Sequence, residues 1–208
     1  EVQQCGELPD WNEVSWRDDC MVNDYIPGGW FDAGDHLKFT VTNAYAATML
    51  GWGLLEYQDG VEKIGELTEY KNNLAWALDY VASCDLGDEI VYMIGDGAFD
   101  HVWWGSAEVY MRKFKLMKGE DARPYYTCND SCIEGQMAAA LAVGYLCFKD
   151  SDPDRADNYL AHAKACFERA DKNRSIGDDT EEHNYYKPSS FYDDLFFAAN
   201  WLYRATGE

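Results

Sequence analysis

The segment SCIEGQMAAALAVGYLCFK, residues 131–149, is apolar nearly all round when its residues are placed on a helix. A helix without a continuous polar face lies inside a protein, because any side turned to water would expose apolar surface. The segment therefore predicts a buried helix at the centre of the fold.

Four more stretches have apolar residues at helical spacing on either side of this segment. They cover residues 40–58, 62–84, 153–170 and 190–206. In the first stretch Ala44, Ala47 and Gly51 fall on one side, which allows close helix packing, and Asp152 is suited to cap the third. Strand signals are few, and IVYMI at residues 90–94 is the best of them. The sequence therefore predicts an all-α fold with roughly five or six helices.

The connections between these helices are long and rich in Gly and Asp. They cover residues 20–38, 85–105, 118–129 and 172–188. Structureless loops longer than about 12–15 residues in a compact domain are usually functional. The conspicuous motifs of the chain fall in or beside these loops, which is where we expect the site.

Acidic residues outnumber basic ones so strongly that the formal net charge is −21. Such a surface repels nucleic acid and anionic membranes, and the densest basic stretch, residues 112–115, is short. No apolar run is long enough to span a membrane, and the opening residues EVQQCGELPD carry no signal-peptide pattern. We expect no nucleic-acid and no membrane partner, whereas a neutral polysaccharide is compatible with this charge.

The first motif is GGWFDAGDHLKF, residues 28–39, in which Asp32 and Asp35 stand three apart. Two nearby carboxylates can share one water: one acts as a base, and the other orients the water and raises the pKa of its partner. The alternative is a helix cap, since a predicted helix begins soon afterwards.

The second motif is GDGAFDHVWWG, residues 95–105. Its His101, Trp103 and Trp104 offer a polar group and stacking faces to a ligand, or serve as structural residues in the core. Alternation along an extended segment places the two tryptophans on opposite sides, so at most one of them faces a cleft.

The third motif is SSFYDDLFF, residues 189–197. Ser189, Asp193 and Asp194 offer the oxygen ligands that calcium prefers. The alternative is a Ser cap with acidic residues in the first helical turn. Prenyl-transfer enzymes, another all-α class, use DDxxD motifs for magnesium, but the third aspartate of that motif is missing here.

Seven cysteines leave at least one thiol unpaired within the chain. Cys5 and Cys20 bracket one segment, and Cys128 and Cys132 form another close pair. Both pairs are candidates for disulfides, which would imply an oxidising compartment. A zinc site is the alternative, although the four histidines do not fall into a zinc-binding pattern.

Six ordered stretches, which cover essentially the whole chain, resemble the catalytic domain of glycoside hydrolase family 9, the inverting cellulases. They are LPDWNEVSWRDD, GGWFDAGDHLKF, AATMLGWGLLEY, GDGAFDHVWWG, EGQMAAALAVGYLCF and YDDLFFAANWLYRATGE. The resemblance implies an (α/α)6 barrel, in which two concentric rings of helices carry an open cleft at one end. It also implies a secreted, extracellular enzyme that hydrolyses internal β-1,4-glucosidic bonds.

The resemblance assigns roles to particular residues. Asp35 matches the general base, and Asp32 matches the residue that holds the attacking water. The other matches are His101, Trp104 and Tyr185 for glucosyl contacts, and Ser189, Ser190, Asp193 and Asp194 for a structural calcium ion. No organic cofactor is implied.

The chain departs from the family pattern at several positions. Met21 and Phe31 occupy positions where some members have zinc-binding histidines, so the resemblance favours a Cys5–Cys20 disulfide over zinc. Pro188 stands where a stacking Trp is common. Ser190 and Asp194 replace the usual Gly and Glu of the calcium site.

The family domain is roughly twice as long as this chain, and its general acid is a Glu in a C-terminal segment that has no match here. We therefore expect residues 1–208 to be the N-terminal half of one catalytic domain, with about half of the barrel. The expected partners are a β-glucan substrate and the missing C-terminal half. The alternative function is a non-catalytic fragment that binds cello-oligosaccharides.

Overall fold

Seven helices and one small antiparallel sheet make up the structure, a computed structural model that describes residues 1–208. In chain order the elements are β1 (Lys38–Phe39), α1 (Thr40–Lys63), α2 (Leu67–Ser83), β2 (Ile90–Ile94), α3 (Gly97–Asp100), α4 (Ala107–Lys118), β3 (Tyr125–Cys128), α5 (Ser131–Phe148), α6 (Pro153–Asn173) and α7 (Tyr192–Thr206). A 3₁₀ turn, His183–Tyr186, precedes α7. The predicted all-α class is confirmed.

Helix α5 is the centre of the fold, as its sequence predicts, and α1, α2, α6 and α7 pack around it. Small residues allow the close approach: a Cβ atom on Gly144 would lie 2.8 Å from a Leu78 methyl group and 2.9 Å from the Tyr159 ring. Asp130 caps the helix by accepting hydrogen bonds from the amides of Cys132 and Ile133. By length and composition α5 could cross a membrane, but 83% of it is buried inside this structure, as in the core helix of a helical domain.

The sheet has the order β1–β2–β3, and both pairs are antiparallel. The strand at residues 90–94 is confirmed, and every residue in it is buried. Strands β1 and β3 are not predicted because two and four residues are too few to show an alternating pattern. Lys38, in the first motif, pairs with Ile94, which directly precedes the second motif, so the sheet places the two motifs side by side.

Two predicted helix boundaries need correction, and the sequence does not predict helices α3 and α4. Helix α1 runs on to Lys63, past a kink at Tyr57, and α2 begins only at Leu67. Gly65, with φ +84°, takes the left-handed conformation that separates them. Helix α4 is not predicted, because its narrow apolar face buries little more than Tyr110 and Phe114 among lysines and arginines.

A second, smaller cluster of buried residues lies under the first motif and includes Phe31, Phe99 and Tyr110. Beside it the Asp24 carboxylate meets Arg123 at 2.6 Å and Lys38 at 3.0 Å, and all three side chains are fully buried. Both cations lower the pKa of Asp24, although its burial acts in the opposite direction. Removing one partner of such a network typically costs about 3–5 kcal/mol, so it anchors residues 24–38.

All seven cysteines are free thiols, so the disulfides considered for both pairs are not formed in this structure. Cys5 and Cys20 lie side by side: a hydrogen bond from the Cys5 thiol lowers the pKa of Cys20 to about 7, and Arg17 lies 3.3 Å from the Cys20 sulfur. Met21 and Phe31 are buried next to them as apolar side chains.

Candidate active site

The first motif forms a tight loop that presents both aspartates. The Asp32 amide donates to the Leu37 carbonyl at 2.8 Å, and the Asp35 amide donates to the Asp32 carbonyl at 3.1 Å. Ala33, with φ +40°, takes the left-handed conformation, whereas Gly34 does not. The turn therefore depends on the strained Ala33, and the loop is not the helix cap of the alternative interpretation, since α1 begins only at Thr40.

Asp35 is held in place from two sides. Its Oδ1 atom accepts a hydrogen bond from the Leu37 amide at 3.0 Å, and its Oδ2 atom lies 3.3 Å from Nε2 of His101. Partial burial raises the pKa of Asp35, and the negative charge of Asp100 adds to this effect. A carboxylate with a raised pKa is a stronger base, which suits proton transfer from water.

Asp32 accepts a hydrogen bond from the Tyr186 hydroxyl, with 2.5 Å between the oxygen atoms. Burial and the adjacent Asp32 carboxylate raise the pKa of Tyr186, so this phenol stays protonated and remains a donor. Sequence analysis does not identify Tyr186, because 154 residues separate it from its partner.

His101 and Tyr185 lie beside Asp35. Their rings meet edge to face at 5.3 Å, and Phe39 packs against Tyr185 at 5.8 Å. Gly97 makes this possible, since a Cβ atom there would lie closer than 3.0 Å to the Tyr185 hydroxyl. The structure therefore brings together the two aspartates and two of the three predicted glucosyl contacts.

The two tryptophans of the second motif face different environments, as alternation predicts. Trp103 stacks on Phe99, with the ring planes 10° apart, whereas Trp104 is 93% exposed. Trp104 contacts none of the other predicted site residues, so its face is free to stack on a ligand.

Asp100 is a functional candidate that sequence analysis misses. It is 2% exposed, lies directly before His101 in the chain and accepts a hydrogen bond from the His36 amide at 3.1 Å. Its second carboxylate oxygen has no hydrogen-bond partner. This buried carboxylate therefore both holds the loop of the first motif and adds negative charge beneath Asp35.

The residues of the predicted calcium site lie at the start of α7. Ser190 accepts a hydrogen bond from the Tyr192 amide at 3.3 Å, but the cap residue of α7 is Phe191 and not a serine; Asp193 and Asp194 lie in the first turn, as the capping alternative requires. Asp194 is buried and forms no ion pair with a basic side chain, and its burial raises its pKa. It accepts a hydrogen bond from Gln136, whose own amide oxygen is buried without a partner.

The side chains of this segment are of the type that a hard cation binds. The segment supplies two carboxylates and two hydroxyls, but no group of three or more His, Cys, Asp or Glu side chains is close enough to hold a metal ion. Calcium accepts main-chain and amide oxygens as well as carboxylates. The donors are thus of the right chemistry, and other oxygens would have to complete the shell.

A cavity of about 430 Å³ lies between the sheet and residues 173–183 and contains none of the predicted site residues. A smaller one of about 180 Å³ opens beside Asp35, between Trp16 and Gly105. Asp35 therefore borders a shallow cavity with 21% of its side chain exposed, so a ligand can reach it from the solvent.

The chain packs its helices around a buried central helix and brings two carboxylates and several aromatic side chains together in its loops. It belongs to glycosyl hydrolase family 9, whose family model matches residues 1–208. The prediction of an (α/α)6 barrel, of which only a part is present, is confirmed by the solved relatives.

Individual relatives support the same family assignment. The chain is 38% identical to endoglucanase B of Cellulomonas fimi over 222 residues, which cover 100% of this chain and 20% of that protein. It is 49% identical to endoglucanase CelQ of Clostridium thermocellum, solved with cellotriose, with a TM-score of 0.87 over 99% of this chain and 32% of that one. For the endoglucanase of the termite Nasutitermes takasagoensis the identity is 34% and the TM-score 0.89, over 99% and 48% of the two chains. The chain thus spans a fifth to a half of the length of these proteins.

Proposed function

We propose that residues 1–208 are the base-bearing part of an inverting endo-β-1,4-glucanase. The observation that carries the proposal is the pair of aspartates in one fixed loop, with Asp35 held between the Leu37 amide and His101. Asp32 orients a water, and Asp35 takes its proton as the water oxygen bonds to the anomeric carbon. The glucosidic bond breaks on the opposite face, and a separate carboxylic acid protonates the leaving oxygen.

The substrate we propose is a β-1,4-linked glucan. His101 and Tyr185 lie next to Asp35, and the exposed face of Trp104 is free to stack on a sugar ring. The CelQ structure in complex with cellotriose supports the same class of ligand. Because a polymeric glucan lies outside the cell, we also propose secretion, and enzyme found only in the cell pellet of a fractionated culture would contradict it.

The general acid must come from another segment. In inverting enzymes the two carboxyl groups stand about 6.5–9.5 Å apart with the sugar between them. Asp32 and Asp35 belong to one turn and lie on one side, so neither serves as this acid. We propose that a C-terminal half of the barrel carries it and packs on α1 and α7, where Trp52, Phe196 and Tyr203 are 42%, 73% and 62% exposed.

The stereochemistry of the product tests this proposal. The complete enzyme is mixed with cellopentaose, and the anomeric protons of the new reducing ends are followed by NMR before they equilibrate. Inversion of a β bond produces the α-anomer first. A β-anomer as the initial product would contradict direct attack by water and would refute the assignment of Asp35 as a base.

The second candidate is a fragment that binds cello-oligosaccharides without cleaving them. It is favoured by one observation: the chain spans only about a third to a half of its solved relatives. Purified residues 1–208 should then bind cellotetraose in a calorimeter and release no reducing sugar. Turnover by this fragment alone would exclude the candidate.

We also propose that Ser189, Ser190, Asp193 and Asp194 hold a structural calcium ion. The proposal is supported by the buried carboxylate of Asp194, whose pKa is raised by burial, and by the serine hydroxyls of the same segment. Calcium added to EDTA-treated enzyme should raise Tm, and Asp193→Asn should reduce that gain. Asp157→Asn, a substitution at an exposed position of α6, is the matched control. A Tm that calcium leaves unchanged would contradict the site.

A further inference from the structure

The Tyr186 hydroxyl is the group that fixes the Asp32 side chain. Its oxygen lies 2.5 Å from Oδ2 of Asp32, and no other side chain donates a hydrogen bond to this carboxylate. The last bond of an aspartate side chain rotates easily, so a carboxylate without a donor samples many orientations. With Oδ2 engaged by Tyr186, Oδ1 remains free to accept a hydrogen bond from a water.

Tyr186 is itself anchored at both ends. Its ring packs edge to face on Phe39 with 4.8 Å between ring centroids, and Phe39 is 3% exposed. Its 3₁₀ turn is fixed by His183, whose Nε2 atom lies 2.8 Å from the buried Asp130 at the start of α5. The hydroxyl position is therefore set by the central helix and the sheet, and not by the exposed loop alone.

The neighbouring tyrosine has a different place. Tyr185 turns towards His101 and Gly97, whereas Tyr186 turns towards Asp32. Of these two adjacent tyrosines, Tyr185 thus lies on the side of the site proposed to contact the sugar, and Tyr186 contacts the carboxylate proposed to hold the water.

We propose that Tyr186 is a positioning residue of the hydrolytic reaction, which acts through Asp32 to fix where the attacking water sits. The proposal rests on the proposed function, since it requires Asp32 to hold that water. Misplacing a reactant by about 1 Å can cost a factor of about 100 in rate. For Tyr186→Phe, which keeps the ring and removes only the donor, we expect kcat to fall by about 10- to 100-fold with KM unchanged.

The test measures cellopentaose hydrolysis by the complete enzyme and by four variants: Tyr186→Phe, Asp32→Asn, the double variant, and Tyr57→Phe as a control. Tyr57 is 73% exposed and on α1, so the control loses a hydroxyl from the far surface and should keep full activity. If Tyr186 acts through Asp32, its substitution lowers kcat in the wild-type background and has almost no further effect in Asp32→Asn. Circular dichroism and Tm establish that each variant is folded.

Two results overturn the proposal. One is a kcat for Tyr186→Phe within about twofold of wild type, and the other is an undiminished effect in the Asp32→Asn background, which would place the action of Tyr186 elsewhere. Asp35→Asn, measured alongside, separates this proposal from the proposed function. If Asp35→Asn is inactive and Tyr186→Phe is not impaired, only the role of Tyr186 fails. If Asp35→Asn is fully active, the proposed function itself fails.

Discussion

Gly51 of α1 offers a sharp test of the packing around the central helix. An added Cβ atom would lie closer than 3.0 Å to Cγ1 of Val143, a fully buried residue of α5. Val143 is β-branched and has one strongly preferred rotamer in a helix, so it cannot turn away at low cost. Gly51→Ala must therefore push the two helices apart.

The expected magnitude follows from two opposing effects. Overpacking a core typically costs about 1–3 kcal/mol. Because the added Cβ atom meets a stiff side chain at close range, we expect a cost at the upper end of this range, about 3 kcal/mol. Replacing glycine by alanine inside a helix returns about 1 kcal/mol. The net loss is about 2 kcal/mol, which lowers Tm by about 4–8 °C in a protein of this size.

The same helix contains a matched control. A Cβ atom on Gly60 would meet nothing within 4 Å, so Gly60→Ala should stabilise the protein by about 0.5–1 kcal/mol. Thermal unfolding of both variants, and of Gly51→Ala combined with Val143→Ala, checks the account. The double variant should be less impaired than the sum of its single substitutions. A Gly51→Ala protein as stable as Gly60→Ala would refute the close contact of α1 with α5.

Two further predictions concern the site. Asp100→Asn keeps the acceptor for the His36 amide but removes the charge that helps to raise the pKa of Asp35. That pKa should fall, so the acidic limb of the kcat/KM profile should move to lower pH, and an unmoved limb would contradict the role of Asp100. Gly97→Ala should displace Tyr185 and weaken cellotetraose binding in a calorimeter, and unchanged affinity would show that Tyr185 contributes no sugar contact.

Much of the fold follows from the sequence, because its strongest patterns come from burial. Helix α5 is apolar on every side, and this pattern predicts both its existence and its central place. Helix α4 escapes prediction because most of it faces water and carries lysines and arginines. The start of α2 is misplaced because Gly65 ends the preceding turn through its backbone conformation, which an apolar pattern does not record.

The site also contains residues that the sequence identifies and residues that it does not. Asp32 and Asp35 are identified because two carboxylates within one short motif can be recognised from the sequence alone as a pair that could act on one water. Tyr186 and Asp100 are not identified, because only folding brings them to this motif. Tyr186 is 154 residues from Asp32, and Asp100 is 64 residues from His36. For Cys5 and Cys20 the sequence predicts the proximity of the two residues correctly but their chemical state wrongly, since both are free thiols.

The central claim is that Asp35 removes the proton from the attacking water. The most direct measurement is the rate of reducing-sugar release from carboxymethylcellulose by the complete enzyme carrying Asp35→Asn, which keeps the shape of the side chain and removes its basicity. Asp88→Asn, at an exposed position before β2, is the control and should retain wild-type activity. The account predicts that the Asp35→Asn protein folds with a normal Tm and loses nearly all hydrolysis, while near-native hydrolysis would contradict it.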